Sequence, residues 1–264
     1  MRATGRGGAW AAGLVLVATG CSGGEQVPSG GGSAPDPTTA LRERCLSAIP
    51  EDADLEALTL PGATGGDVEA ARIGPEESTT VAVLLPQIGG MCGWGRWAHA
   101  AAEDAGITSL LLNPCGYGET ACPAEADADP LNEVTAATQL ARSDLGADRV
   151  VLLGTSMGGS LTVIAVAAGA EVDAWADVSG PSSWDGVELA TLADDLPRTG
   201  LVVMAPSDGR AAFADARALA RAAGVPFLPG RSGHGWELLT DPVSGSVTRL
   251  GRRLMDLAAG RPGA

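Results

Sequence analysis

Three residues have the types that nucleophilic catalysis needs, and each follows a short apolar run. "RVVLLG" at 149–154 runs into "GTSMGG", which sets Ser156 among small neighbours. "LVVMAP" at 201–206 is followed by Ser207, Asp208 and Gly209, and "VPFLPG" at 225–230 by "RSGHGW", which contains His234. A serine hydroxyl is a weak nucleophile until a base takes its proton. An imidazole can be that base, and a carboxylate can hold the imidazole in the right tautomer. Glycines at 154, 158 and 159 permit a tight strand-to-helix turn that holds Ser156 strained and exposed. The Met157 amide would then face a developing oxyanion from a helix N-terminus. Blander readings exist for each feature. The glycines also suit a plain packing turn, and Asp208 also suits the N-cap of a helix. No lysine follows for a P-loop, and the glycine spacing is wrong for a dinucleotide fingerprint. The other histidine, His99, falls in an Ala-rich helical pattern and is expected to be a surface or packing residue.

The elements that must position these residues alternate along the chain. Strands are expected at 79–85, 107–112, 149–154, 172–180, 201–206 and 225–230. Helices are expected at 94–106, 130–147, 160–169, 210–224 and from about Pro242 to Ala259. "DLEALTL" and "DVEAARIG" suit a leading antiparallel hairpin. Such alternation builds a mostly parallel sheet with helices on both faces. Sites in these sheets lie beyond the carboxyl ends of the strands. Ser156, Asp208 and His234 each follow a strand.

In this order the three residues resemble the triad of the α/β-hydrolase superfamily. The resemblance covers the chain from about residue 55 onward. It implies Ser156 as nucleophile, His234 as general base and Asp208 as the orienting acid. Asp177, near the end of the preceding strand, is the rival acid, since some relatives place theirs there. The resemblance implies Met157 as one oxyanion donor. The second comes from the loop after "VAVLL", where many relatives have His-Gly and this chain has Pro86-Gln87-Ile88. The amide usually used falls on Ile88, with Gln87 as an alternative donor. Only about twenty residues separate Gly180 from Leu201, so any lid is at most one short helix. A small open cleft is expected, with Trp94, Trp184 and Trp236 as apolar walls. Minimal-lid relatives of the dienelactone-hydrolase type are similar, although they use a cysteine nucleophile.

The chain begins differently. Arg2 and Arg6 precede an apolar run from Ala9 to Ala18 that ends in "VATGC". This resembles the lipobox of bacterial lipoproteins, with Ala18 where leucine is usual. The resemblance implies cleavage before Cys21 and lipid attachment to Cys21. Residues 1–20 are then a signal peptide and 21–40 a lipidated flexible linker. Residues 41–264 are the hydrolase domain, on the extracytoplasmic face of the membrane. A second Gly-x-Ser-x-Gly match, at 20–24, has no strand before it in the mature chain and no helix after it. An exported domain with Cys45, Cys92, Cys115 and Cys122 suggests two disulfides. Three pairings are possible. Cys115–Cys122 with Cys45–Cys92 is favoured because "CGYGETAC" can close on itself. The spacing fits no zinc site.

The formal charge is −15 from 17 Lys+Arg and 32 Asp+Glu, and every basic side chain apart from the histidines is arginine. Losing Arg2 and Arg6 takes it to −17. Such a chain repels nucleic acid. No metal or organic cofactor is implied, and nothing in the sequence sets an oligomeric state. The expected partners are a small ester-type substrate and, through Cys21, the membrane. The leading function is a serine carboxylesterase. An amidase or peptidase would use the same three residues, and a non-catalytic binding protein could keep the same fold.

Overall fold

In a computed structural model, which describes residues 35–261, the apolar runs become one eight-stranded sheet. The signal, tether and Cys21 readings up to Ala34 lie outside the described residues. The strands are β1 (Leu55–Pro61), β2 (Asp67–Ile73), β3 (Thr80–Leu85), β4 (Thr108–Leu112), β5 (Arg149–Thr155), β6 (Ala174–Val178), β9 (Gly200–Met204) and β10 (Phe227–Pro229); a separate two-stranded hairpin is β7 (Ser183–Trp184) and β8 (Val187–Glu188). The spatial order in the large sheet is β1-β2-β4-β3-β5-β6-β9-β10. The leading hairpin is present, with β1 and β2 antiparallel. β2 meets β4 antiparallel, and every later neighbour is parallel.

Seven helices flank the sheet among the described residues: α1 (Pro37–Cys45), α2 (Gly95–Ala105), α3 (Ala124–Asp127), α4 (Asn132–Ser143), α5 (Met157–Ala167), α6 (Arg210–Ala223) and α7 (Arg249–Ala258). The central strands are buried on both sides, and alternate residues feed two cores. Val150 and Leu152 of β5 pack with α4, α5 and α6, while Val151 and Leu153 pack with α1, α2 and α7. This is why the strands read as continuous apolar runs rather than alternating ones. The chain leaves β3 toward β4 on one side and returns to β5 on the other. That reversal opens a crevice at the carboxyl ends of β3 and β5.

Two differences from the sequence reading have local causes. The last helix starts at Arg249, not near Pro242. Asp241 accepts from the amides of Val243 and Ser244 and closes a turn, and the helix waits for its N-cap Thr248, which accepts from Gly251 N–H. The stretch before Thr39 was expected to be tether, yet α1 starts at Pro37. Asp36 caps it by accepting from Thr38 and Thr39, and Leu41 and Cys45 bury against the core. The short lid region stays within the expected bound of one short helix: it is the β7–β8 hairpin followed by a 3-10 segment, Leu189–Asp195.

Both disulfides are formed in the favoured pairing. Cys45–Cys92 has its Cα atoms 5.3 Å apart and Cys115–Cys122 5.5 Å apart. Cys115, Cys122 and Glu133 form a group of metal-ligand types. The two sulfurs are bonded to each other, so no thiolate is left to coordinate an ion.

Candidate active site

β5 ends at Thr155 and α5 begins at Met157, so Ser156 alone makes the turn. Its backbone has φ 50 and ψ −119, a conformation that is costly for a residue with a side chain. Two contacts hold it there. Ser156 N–H donates to Val178 O at 2.8 Å, and Gly158 N–H donates to Pro86 O at 2.9 Å. The neighbouring glycines are required by close approach. A Cβ on Gly154 would strike the Gly158 backbone, and one on Gly158 would strike Leu85 O. The packing-turn explanation is therefore true of these glycines, and the turn they allow is also the one that presents Ser156.

Asp208 ends a 3-10 turn, Pro206–Asp208, directly after β9. Its Oδ1 lies 2.8 Å from His234 Nδ1. The Asp208 side chain is 8% exposed and that of His234 47%. A buried carboxylate thus orients an imidazole whose other nitrogen is left for chemistry. Two braces fix the histidine loop. Ser207 Oγ donates to Gly233 O and accepts from Gly233 N–H, and Glu237 accepts from His234 N–H. No hydrogen bond joins Ser156 Oγ to the imidazole among the described residues. The structure brings Asp208 and His234 into contact and sets Ser156 at the same end of the sheet. Catalytic hydrogen bonds are often long without substrate.

Asp177, the rival acid, points elsewhere. It is buried in β6, and its Oδ1 accepts from Gly180 N–H at 2.8 Å. Burial pushes its carboxyl up to about 7, against a smaller opposing effect of that hydrogen bond. His99 lies on α2, with Nε2 3.6 Å from Asp52 on the surface. One residue escaped the sequence reading. Ser179 follows β6, and its hydroxyl donates to Asp208 Oδ2 at 2.9 Å, opposite the oxygen that holds His234.

The loop after β3 carries the candidate oxyanion donors. Pro86 O is tied to α5, and peptide planarity turns the Gln87 N–H the other way. That leaves the Ile88 amide and the Gln87 side chain as second donors beside the Met157 amide. Ile88 is 69% exposed. Gln87 Oε1 accepts from Trp236 N–H at 3.3 Å, which fixes its side chain. Trp184 and Trp236 are half-buried. Trp94 is not an open wall. It is 1% exposed, its indole N–H donates to Leu85 O, and its ring meets Trp97 edge-on.

No protein-family model matches this sequence. No curated protein matches it either. Solved structures do. An esterase of Pyrococcus furiosus superposes with a TM-score of 0.65 at 9% identity, over 80% of this chain and 92% of that one. An esterase domain from a Rhodothermus marinus protein gives 0.57 at 16%, over 78% and 98%. An esterase of Pyrobaculum calidifontis gives 0.55 at 17%, over 84% and 90%. The chain has the α/β-hydrolase fold with a minimal lid. Identities this low carry the fold across and leave activity to be argued from the site.

Proposed function

We propose that this chain is a lipid-anchored, extracytoplasmic serine hydrolase that cleaves carboxylic esters of small or medium acyl groups. Ser156 Oγ attacks the acyl carbon while His234 Nε2 takes its proton. Asp208 holds the imidazole and stabilises the imidazolium. The Met157 amide and a donor from the 87–88 loop stabilise the oxyanion. His234 returns the proton to the leaving alcohol, and water then cleaves the acyl-enzyme by the same steps. The observation that carries this reading is the 2.8 Å contact between Asp208 and His234, at the sheet end where Ser156 is held at positive φ. The minimal lid favours substrates that are dissolved rather than packed in an interface.

The test is fluorophosphonate labelling with turnover of p-nitrophenyl esters of rising chain length. Ser156→Ala abolishes labelling and lowers turnover by about ten-thousand-fold or more, and His234→Ala does nearly the same because the two act as a unit. Asp208→Asn is also severe, whereas Asp177→Asn and His99→Ala keep most of the activity. A crippled Asp177→Asn beside a mild Asp208→Asn would overturn the acid assignment. Full turnover in Ser156→Ala would overturn the enzyme.

A further inference from the structure

Cys115 and Cys122 close the loop after β4, and Glu133 reaches them from the second residue of α4. Glu133 Oε1 accepts from Cys115 N–H at 2.7 Å. Its Oε2 has no partner among the described residues, although Glu133 is only 8% exposed. The ligand atoms of the three residues, two sulfurs and a carboxylate oxygen, all lie within 4.8 Å of one another. A fourth residue faces both sulfurs. Asn132 Nδ2 stands 3.6 Å from Cys115 Sγ and 3.8 Å from Cys122 Sγ. Asn132 is also held independently of the disulfide. Its Oδ1 accepts from the Thr64 N–H and hydroxyl, and its Nδ2 donates to Gly65 O. Asp127 and Asp129 add negative charge beside Glu133. The cysteine spacing resembles no zinc site because the third ligand type comes from another element.

We propose that Cys115, Cys122 and Glu133 form a redox-gated site for Zn²⁺ or a similar thiophilic divalent cation. The site is shut while the sulfurs are bonded and is opened by a dithiol reductant. It is independent of the hydrolase reading. Cys122 is half-buried and Cys115 buried, so the reductant thiolate attacks Cys122 Sγ. The bond between the two protein sulfurs breaks, a mixed disulfide forms, and Cys115 leaves as a thiolate. The second reductant thiol attacks the mixed disulfide, Cys122 leaves as a thiolate, and the reductant departs as a cyclic disulfide. Two electrons have passed to the cysteines, and the two dithiol protons go to them or to water. The ion then binds two thiolates and the free Glu133 oxygen, with water in the fourth position. Tetrahedral zinc at about 2.3 Å from sulfur sets the sulfurs about 3.8 Å apart. The loop has room to open by that much. Gly116 and Gly118 stand at φ 78 and 56, and a Cβ on Gly116 would meet nothing within 4 Å. The Asn132 amide becomes an outer donor that fixes the thiolates. Two sulfur ligands select against calcium and magnesium, which take oxygen.

The experiment uses Co²⁺ as the probe, because its thiolate complexes show a sulfur-to-cobalt absorption band. The full chain carrying Cys21→Ala, which removes the leftover thiol, is reduced with dithiothreitol, freed of it anaerobically and titrated. It should bind one Co²⁺ with that band, and Zn²⁺ should displace it. The oxidised chain should show no band. Cys122→Ser should abolish the band, whereas Cys92→Ser should keep it. Glu133→Gln keeps an acceptor for Cys115 N–H and should weaken binding by at least about tenfold. Cys122→His opens the pair without any reductant and leaves Cys45–Cys92 joined. It should bind Co²⁺ at least about tenfold more tightly than Cys122→Ala, which keeps the test decisive if full reduction unfolds the chain. Circular dichroism of each sample checks folding. No band in Cys122→His or in the folded reduced chain would overturn the proposal. So would an equal band in Cys122→Ser, or its loss in a folded Cys92→Ser.

Discussion

Two serines in this structure stand at positive φ within hydrogen-bonding reach of one strand end. Ser156 has φ 50 and Ser179 φ 60. Val178 O accepts the Ser156 N–H, and the very next residue, Ser179, donates its hydroxyl to Asp208. Consecutive residues at the end of β6 therefore hold the proposed nucleophile and the proposed acid. The sequence placed a candidate acid in this strand, at Asp177. In the structure this strand supports the acid supplied by the β9 loop. A hydrogen bond to a buried carboxylate is worth about 1.5–3 kcal/mol. Ser179→Ala should accordingly lower kcat by about ten- to a hundredfold with little change in KM. Ser179→Gly gives the sharper comparison. It relieves the backbone strain, so the protein should melt no lower than Ser179→Ala, yet catalysis should remain impaired. Recovery of parental kcat in the glycine variant would show that strain, not the hydroxyl, mattered.

Asp177 allows a separate prediction in stability. Its carboxyl titrates near 7 in the folded chain, against an ordinary 3.8, chiefly because it is desolvated. Between these values the unfolded chain has released a proton that the folded chain still binds. Stability from this group therefore falls as pH rises from about 3.8 to about 7, and is level above that. Asp177→Asn removes the titration and keeps an oxygen for Gly180 N–H. The variant should melt several degrees above the parent at pH 8, with the gap closing toward pH 4. A gap that widens toward low pH would reverse the sign and refute the account. Ser156, Asp208 and His234 could be named as candidates from the sequence because each follows an apolar strand. Ser179 could not. "VSGPSS" offers three serines, and only the folded turn decides which hydroxyl meets Asp208. The second oxyanion donor was narrowed only to Ile88 or Gln87, since a backbone amide has no residue type to recognise.

At the scale of elements, the parallel strands and the two-sided packing were legible in the apolar runs, and the ends of elements were less so. The misread end before α7 depends on the Asp241 turn, which uses side-chain capping that apolar periodicity does not register. The two disulfides act on different elements. Cys45–Cys92 ties the end of α1 to the segment just past the oxyanion loop, where Met91 N–H also donates to Asn113. Cys115–Cys122 closes only the local loop after β4. Their sequence separations are 47 and 7. On loop-closure entropy these are worth about 4 and about 2 kcal/mol respectively. Replacing both Cys45 and Cys92 with alanine should lower the guanidinium midpoint more than replacing Cys115 and Cys122. It should also lower kcat, because it loosens the loop that carries Gln87 and Ile88. The opposite order of midpoints would place the constraint in the local loop.

For the whole molecule, cysteine arithmetic joins the folded domain to the segment before it. The chain has five cysteines, and four are paired. The fifth, Cys21, follows the apolar run that ends in "VATGC". In an exported protein a leftover thiol is exposed to oxidation and mispairing. Lipidation would consume it and fasten the domain to a membrane that its own surface does not attract, because a charge of −15 opposes anionic lipid headgroups. No described helix is long and apolar enough to cross a bilayer. Two fatty chains are enough for stable attachment where one is marginal. Cys21→Ala should therefore abolish fatty-acid incorporation and leave unprocessed precursor, read by mass and by labelled palmitate. Once freed from the membrane fraction by detergent, its ester turnover per labelled Ser156 should match the parent, because both disulfides of the described residues are made by other cysteines. If the alanine variant were processed and retained like the parent, Cys21 would be no anchor. The membrane attachment, though not the catalytic reading, would then have to be abandoned.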